Sequence, residues 1–155
     1  MSKDINQWID SYGESHQNPI NKMIHWFCVP LIMFSLLGLL SIITIYDEYY
    51  VRLNVSHLLI VFAIIFYFRL SFLITIGMFL ISSIQLVIIY YFETLLPLQT
   101  LLYIYLIVFV IAWIGQFIGH KIEGEKPSFF EDIQFLLIGP AWLLSFIYKK
   151  LKIKY

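Results

Sequence analysis

Three long apolar stretches constrain this chain more than any other feature of its sequence. They cover residues 26–46, 55–92 and 100–119, and Arg69 is their only Asp, Glu, Lys or Arg. A helix of about 20 apolar residues crosses the roughly 30 Å hydrocarbon core of a bilayer. A soluble domain could not bury so much apolar surface, since 61% of the residues are hydrophobic and the mean hydropathy is +0.84. The sequence therefore predicts an integral membrane protein.

The middle stretch is too long for a single crossing. Arg69-Leu70-Ser71 interrupts it and predicts a tight hairpin between a short helix and a longer one that ends near Tyr91. Together with residues 26–46 and 100–119, this makes four transmembrane helices, with polar turns at 47–54 and 93–99 on the opposite face. We therefore expect an all-α polytopic membrane protein that forms one domain over residues 1–155.

A short amphipathic helix is predicted at the N terminus, over residues 3–15. Four apolar residues fall on one of its faces at helical spacing: Ile5, Trp8, Ile9 and Tyr12. Such a helix fits the membrane interface, where Trp and Tyr side chains lie among the lipid head groups. Asn18 and Pro19 are suited to the N-cap and the first helical position, so the next helix is expected to begin there.

The C-terminal apolar stretch, residues 129–148, is expected not to cross the membrane. Ser128 and Glu131 have the spacing of a capping box, which predicts a helix start near Phe129, and Gly139-Pro140 interrupts the pattern. A crossing would move the four lysines of the tail to the outer face. We therefore predict a helix that is broken at Gly-Pro and is re-entrant or interfacial.

The distribution of Lys and Arg predicts the orientation. With four crossings, only Arg52 of these ten residues lies on the face opposite the termini, which leaves nine on the same side as the termini. Positively charged loops stay in the cytoplasm, so both termini are predicted to be cytoplasmic. The membrane would be the inner membrane in a bacterium or the endoplasmic reticulum in a eukaryote. The formal net charge of zero argues against a nucleic-acid partner, and no pattern indicates an oligomeric state.

Two polar segments flank the apolar stretches and carry the candidate functional residues. The first, residues 16–25, contains His16, Asn18, Asn21, Lys22 and His25. The second, residues 116–123, contains Gln116, His120, Lys121 and Glu123. An even number of crossings returns the chain to its starting face, so both segments are expected at the cytoplasmic face. His16 and His25 would point to opposite sides of one continuous helix, but a helix start at Asn18-Pro19 lets His16 fold back beside His25.

These residue types predict a metal site formed by three imidazoles, those of His16, His25 and His120. Polar groups at membrane depth are costly and tend to be functional. The amides of Asn18, Asn21 and Gln116 are candidates for holding the rings in the tautomer that binds metal. A single interfacial histidine is usually only solvated, and His57, predicted on the opposite face, is interpreted as a helix-start residue.

Four charged residues are further candidates near this site. Glu123 shares a helical stripe with Gln116 and His120, so it is a candidate for catalysis and for metal binding. Lys22, Lys121 and Lys126 are either positive-inside residues or partners for an anionic substrate head group.

The two polar segments resemble those of a known family. The matching positions are Tyr12, His16-Gln17-Asn18-Pro19, Asn21, His25 and Pro30, then Gln116-Phe117-Ile118-Gly119-His120, Glu123, Pro127, Asp132 and Pro140. In these residues the chain resembles the small membrane proteins typified by the yeast endoplasmic-reticulum 2-hydroxy fatty acid dioxygenase. The resemblance covers essentially the whole chain, but between the two segments it lies only in hydropathy.

The resemblance implies an iron(II)-dependent dioxygenase that uses O2 to remove one carbon from a 2-hydroxy fatty acid. It also implies a metal role for His16, His25 and His120, whereas His57 has no counterpart in the family. Imidazole with oxygen donors is a ligand set that iron(II) accepts. The residues alone leave three other functions open: a zinc-dependent lipid hydrolase at the same site, a haem protein that uses two of the histidines, and a transporter or scaffold without chemistry.

Overall fold

The computed structural model of the protein describes residues 3–48, 51–127 and 134–155, and most of these residues are helical. The helices are α1 (Ile5–Glu14), α2 (Pro19–Ser41), α3 (Val55–Phe68), α4 (Phe72–Leu95), α5 (Leu98–Glu123) and α6 (Phe135–Lys150). A hairpin of two antiparallel strands, β1 (Thr44–Glu48) and β2 (Val51–Asn54), joins α2 to α3.

Three of these helices are long and apolar enough to cross a membrane, namely α2, α4 and α5. Many of their large hydrophobic side chains are exposed, as on a surface that faces lipid. Helix α3 has 14 residues and is only about 21 Å long, which is shorter than a usual crossing. The four predicted crossings are therefore supported for three helices, and the crossing by α3 stays a prediction.

The hairpin corrects the prediction for the first crossing and the turn after it. Helix α2 ends at Ser41, not near Tyr46, and residues expected to form a turn pair as strands instead. Thr44 lies opposite Asn54, and Asp47 lies opposite Arg52. The β-branched and aromatic residues at 44–46 favour an extended backbone, and strand pairing satisfies backbone groups that a longer helix would have satisfied.

Helices α2 and α5 pack closely and run in opposite directions. Glycines at the interface lie against side chains of the other helix at three levels: Gly119 against Asn21, Gly115 against Cys28, and Gly38 against Tyr105. Small residues let two helix backbones approach in a membrane protein, where packing drives association. This pairing places the N terminus of α2 beside the C terminus of α5. The two polar segments therefore lie close together, as expected from an even number of predicted crossings.

Helix α6 is continuous through Pro140, so the predicted break at Gly139-Pro140 is wrong. Most of its residues are buried. It is held by a hydrogen bond of 2.6 Å from the Tyr67 hydroxyl to the Leu137 carbonyl and by one of 2.7 Å from the Tyr148 hydroxyl to the Leu73 carbonyl. This packing outweighs the loss of one backbone bond at a proline. The predicted start near Phe129, with Ser128, Glu131 and Asp132, lies outside the described residues.

Helix α1 has the predicted apolar face, but that face packs against protein. Trp8 and Tyr12 are 8% and 7% exposed, and both contact Phe135 of α6. Asp4 is the N-cap of this helix, and its capping box with Gln7 satisfies the first backbone amides. Neither aromatic residue therefore lies free among head groups, and α1 forms one wall of the region around His16.

Candidate metal centre

The three histidines expected to act together do meet in the structure. The ring centroids of His16 and His25 are 4.3 Å apart. The ring centroid of His120 lies 4.8 Å from that of His16 and 5.1 Å from that of His25. One ring nitrogen from each residue lies within 4.8 Å of the others. His16 and His25 are fully buried, and His120 is 4% exposed. The cluster has the composition and spacing that could hold a metal ion.

The local sequence explains how His16 reaches the other two rings. Helix α1 ends at Glu14 with Ser15 as its C-cap, and α2 begins at Pro19 with the Asn18 side chain accepting from the Ile20 amide at 2.9 Å. The predicted helix start at Asn18-Pro19 is therefore confirmed. Because the two helices are separate, His16 lies in the connection and its ring folds back onto α2.

Backbone carbonyls hold two of the rings and define their tautomers. His16 Nδ1 lies 2.6 Å from the Tyr12 carbonyl, and His25 Nδ1 lies 2.9 Å from the Asn21 carbonyl. A carbonyl oxygen only accepts, so each Nδ1 carries the proton and donates it. In a neutral ring the Nε2 then has a free lone pair, which is the form of histidine that binds metal.

The two Nε2 atoms lie close together. The distance from His16 Nε2 to His25 Nε2 is 2.9 Å. Two acceptors at that separation repel unless a cation lies between or beside them. Nitrogens that each bind one ion at about 2.1 Å are about 3.0 Å apart when they meet it at a right angle, so the observed spacing fits a shared metal ion.

The electrostatic setting favours neutral rings. Burial, and after it the neighbouring His25, lowers the pKa of His16 to about 3. His16 is therefore uncharged at neutral pH, and its Nε2 is available as a ligand. His120 Nδ1 is also buried and has no hydrogen-bond partner among the described residues. Buried polar atoms are rarely left unsatisfied, so this nitrogen is a candidate ligand for a cation.

Glu123 has a different set of contacts from the histidines. Its carboxylate accepts from the backbone amides of Gln17 at 2.7 Å and Asn18 at 2.9 Å, and from the Asn21 side chain at 3.1 Å. A carboxylate at a helix N terminus satisfies free amides and complements the helix dipole. The structure thus shows Glu123 joining the end of α5 to the start of α2, while its role as a ligand or catalytic group stays a prediction.

The predicted amides do not orient the rings as expected. Asn18 caps α2, and the Asn21 side chain binds Glu123; it is the Asn21 backbone carbonyl that holds His25. Gln116 is buried beside His120, and its Nε2 has no partner among the described residues. Backbone carbonyls are present at every position, so a sequence pattern could not reveal their part.

Two aromatic residues that sequence reasoning did not assign to the site enclose His16. The Tyr12 ring stacks on the imidazole at 4.1 Å between centroids, and Trp142 of α6 lies 5.2 Å from it. Trp142 also lies 6.5 Å from the His25 ring. The sequence predicts α6 as a broken helix that is re-entrant or interfacial. Only its Gly-Pro-Ala-Trp run, with small residues before a tryptophan, indicates a close approach.

The histidine cluster lies between two cavities of different character. A polar cavity of about 330 Å³ on one side is lined by His16, Lys22 and Lys149, with Asp10 and Glu14 at its wall. An apolar cavity of about 60 Å³ on the other side is lined by His120 and Gln116 among hydrophobic side chains. Lys22 is half-buried, whereas Lys121 and Lys126 are exposed and line neither cavity.

The fourth histidine, His57, lies apart from this cluster, at the start of α3. Its Nδ1 accepts from the Asn54 amide at 3.2 Å, and its Nε2 lies 3.1 Å from the Tyr90 hydroxyl. The interpretation of His57 as a helix-start residue is confirmed by these contacts.

Comparison with known proteins agrees with the two polar segments. A family model described as "2-hydroxy-palmitic acid dioxygenase Mpo1-like" matches residues 2–151. The chain is also 28% identical over 149 residues to the 2-hydroxy-palmitic acid dioxygenase MPO1 of Saccharomyces cerevisiae, which covers 94% of this chain and 81% of the yeast protein. No solved structure matches the chain. The family resemblance is confirmed, and this chain belongs to the Mpo1-like family.

Proposed function

We propose that this protein is an iron(II)-dependent dioxygenase of the membrane that shortens 2-hydroxy fatty acids by one carbon. His16, His25 and His120 would bind the metal, and residues 1–155 would form one catalytic domain. The family model and the yeast relative are both named as 2-hydroxy-palmitic acid dioxygenases, and this supplies the reaction class. The geometry of the histidines supplies the place where it would occur.

One observation carries the metal assignment: the Nε2 atoms of His16 and His25 lie 2.9 Å apart. In neutral rings whose Nδ1 atoms donate to carbonyls, neither Nε2 can donate to the other. A buried pair of this kind is stabilised by a shared cation. Iron(II) suits imidazole ligands that leave coordination positions open.

Iron(II), when bound, would supply the activation of O2 needed to break the C1–C2 bond of the 2-hydroxy acid. The overall equation balances when one O2 is consumed and the products are the shorter acid, carbon dioxide and water. The chain's own residues would bind and orient the substrate. Lys22, next to His16 in the polar cavity, would attract the carboxylate, while the acyl chain would lie on the apolar side of the cluster.

The arrangement also supports a membrane orientation. We propose that α3 crosses together with α2, α4 and α5, and that both termini face the cytoplasm. The polar cavity would then admit the acid head from the aqueous side, while the exposed hydrophobic faces of the helices meet lipid. Tyr12 and Trp142, which enclose His16, would limit the access of bulk water.

The test is metal and product analysis on protein that has been purified without oxygen. We expect one iron per chain and, after addition of O2 and a 2-hydroxy fatty acid, a fatty acid one carbon shorter detected by mass spectrometry. Zinc in place of iron, with hydrolysis of a lipid ester and no shortened acid, would instead support the hydrolase. A haem absorbance band would contradict both the dioxygenase and the hydrolase and would support the haem protein.

A further inference from the structure

Gln116 is a buried amide with an unused donor. The residue is 6% exposed, and its Nε2 has no hydrogen-bond partner among the described residues. Native structures satisfy nearly all buried polar atoms, so an unsatisfied one needs a functional reason. Gln116 lines the apolar cavity, so a molecule in that cavity could accept from its Nε2.

The position of Gln116 suits a substrate contact better than ring orientation. His16 and His25 are already held by the carbonyls of Tyr12 and Asn21. Gln116 precedes His120 by four residues on α5, so the two side chains share one helical stripe, and both line the same cavity. A group bound beside His120 would therefore lie within reach of the amide.

The remaining walls of this cavity are suited to an acyl chain. Its apolar lining comes from α2, α5 and α6 and includes Val29, Ile32, Met33, Trp113, Phe135 and Leu136. A volume of about 60 Å³ is far below the 300–1,000 Å³ of pockets that enclose a whole ligand. Leu136 is 44% exposed, so the cavity reaches the surface of the protein.

We propose that Gln116 recognises the 2-hydroxyl group of the substrate, and that the acyl chain leaves the site through this cavity toward the lipid. The inference rests on the proposed function and deepens it by naming the residue that distinguishes 2-hydroxy acids from plain fatty acids. With the carboxylate on the Lys22 side and the tail on the His120 side, C2 lies between the two cavities. Its hydroxyl oxygen is then placed to accept from Gln116 Nε2.

The first test measures binding to metal-free protein, so that it does not depend on turnover. The affinities for a 2-hydroxy fatty acid and for the plain acid of equal length are compared in wild type and in Gln116→Met, which keeps the chain length but lacks a donor. We expect wild type to prefer the 2-hydroxy acid by about tenfold, as one added hydrogen bond allows. The ratio should fall to about one in Gln116→Met.

Gln85→Met is the matched control. Gln85 is also a buried glutamine, 8% exposed, but it lies on α4 and donates to the Pro30 carbonyl outside the cavity. This variant should keep the wild-type ratio. A ratio of one in wild type, or an unchanged ratio in Gln116→Met, would overturn the assignment.

The second test needs no variant and maps the path of the acyl chain. A 2-hydroxy fatty acid with a photoreactive diazirine close to C4 is irradiated with the wild-type protein, and the labelled residues are identified by mass spectrometry. We expect labels on Met33, Trp113 or Leu136. Labels confined to the polar cavity, on residues such as Asp10 or Lys149, would refute the path.

These outcomes are separate from failure of the proposed function. If wild type turns over the 2-hydroxy acid while Gln116→Met keeps the binding ratio, the proposed function is supported and the role of Gln116 is contradicted. If wild type binds 2-hydroxy acids selectively and is labelled in the cavity but releases no shortened acid, the proposed binding site is supported and the proposed reaction is contradicted.

Discussion

The Glu123 carboxylate lies 3.1 Å from the side-chain amide of Asn21, although 102 residues separate them in sequence. Through this contact and the bonds to the amides of Gln17 and Asn18, the last turn of α5 is joined to the first turn of α2. His120 lies one turn before Glu123, and His25 lies one turn after Asn21. The contact therefore determines how closely these two imidazoles approach.

We expect Glu123→Gln to loosen this connection without removing a metal ligand. Loss of the charge weakens hydrogen bonds that are worth about 1.5–3 kcal/mol when one partner is ionised, with a smaller effect here because Glu123 is partly exposed. The thermal midpoint in detergent should fall by a few degrees, and metal affinity by about 10-fold.

Glu125→Gln is the control, since Glu125 is exposed two residues further on. It should leave both quantities unchanged. Complete loss of metal in Glu123→Gln at saturating iron would instead show that the carboxylate is a ligand, as the sequence allowed.

Single alanine substitutions at His16, His25 and His120 should each remove metal binding while the protein still inserts. Each removes one of three converging donors, and we expect metal affinity to fall by more than about 100-fold, because even supporting residues around a metal account for 10–100-fold. Equilibrium dialysis with iron(II) measures the effect.

His57→Ala should bind metal normally, because that ring contacts Asn54 and Tyr90. Wild-type affinity in any of the first three would contradict the assignment of that residue.

The meeting of the three histidines could be predicted because it depends on features visible in a sequence. Apolar length indicates crossings, an even number of them would return His120 to the face of His25, and Asn18-Pro19 marks a helix start. Each of these is a local pattern with a known physical cause. The hydrogen bonds that set the two tautomers depend on backbone carbonyls, which have no sequence signature.

The parts that were not predicted depend on tertiary packing. Pro140 indicated a break, but burial of most of α6 against α1 and α4 keeps that helix continuous. The same burial brings Trp142 to within 5.2 Å of the His16 ring. The β-branched and aromatic residues at 44–46 fit the end of an apolar span as well as a strand, and only pairing with β2 distinguishes the two structures.

Gly119→Ala should disturb both packing and the metal centre. A Cβ at position 119 would overlap the Asn21 side-chain amide, which is fully buried and bound to Glu123. Asn21 would have to rotate and lose that bond, and overpacking of this kind costs about 1–3 kcal/mol. We expect a lower thermal midpoint and weaker iron binding.

Two other glycines provide controls for this variant. At Gly13 an added Cβ meets only the Trp142 Nε1 atom, at an ordinary 3.5 Å, so Gly13→Ala should leave iron binding intact. At Gly38 a Cβ would lie 2.7 Å from the Tyr105 ring, far from the histidines, so Gly38→Ala should lower stability without changing iron affinity. Equal loss of affinity in Gly38→Ala and Gly119→Ala would show that general destabilisation is the cause.

Removal of the metal should destabilise the wild-type protein more than the variant that lacks one of the facing rings. With iron at about 100 times its dissociation constant, binding stabilises the folded state by about 2.7 kcal/mol, and chelation removes that contribution. It also leaves the Nε2 atoms of His16 and His25 2.9 Å apart in a buried site, where the repulsion between their lone pairs is poorly screened. A chelator should therefore lower the thermal midpoint of wild type by several degrees. His25→Ala has neither the complete ligand set nor the opposed pair, so its midpoint should not respond to the chelator. An equal response in both proteins would place the metal elsewhere, and the short distance between the two nitrogens would then need a different cause.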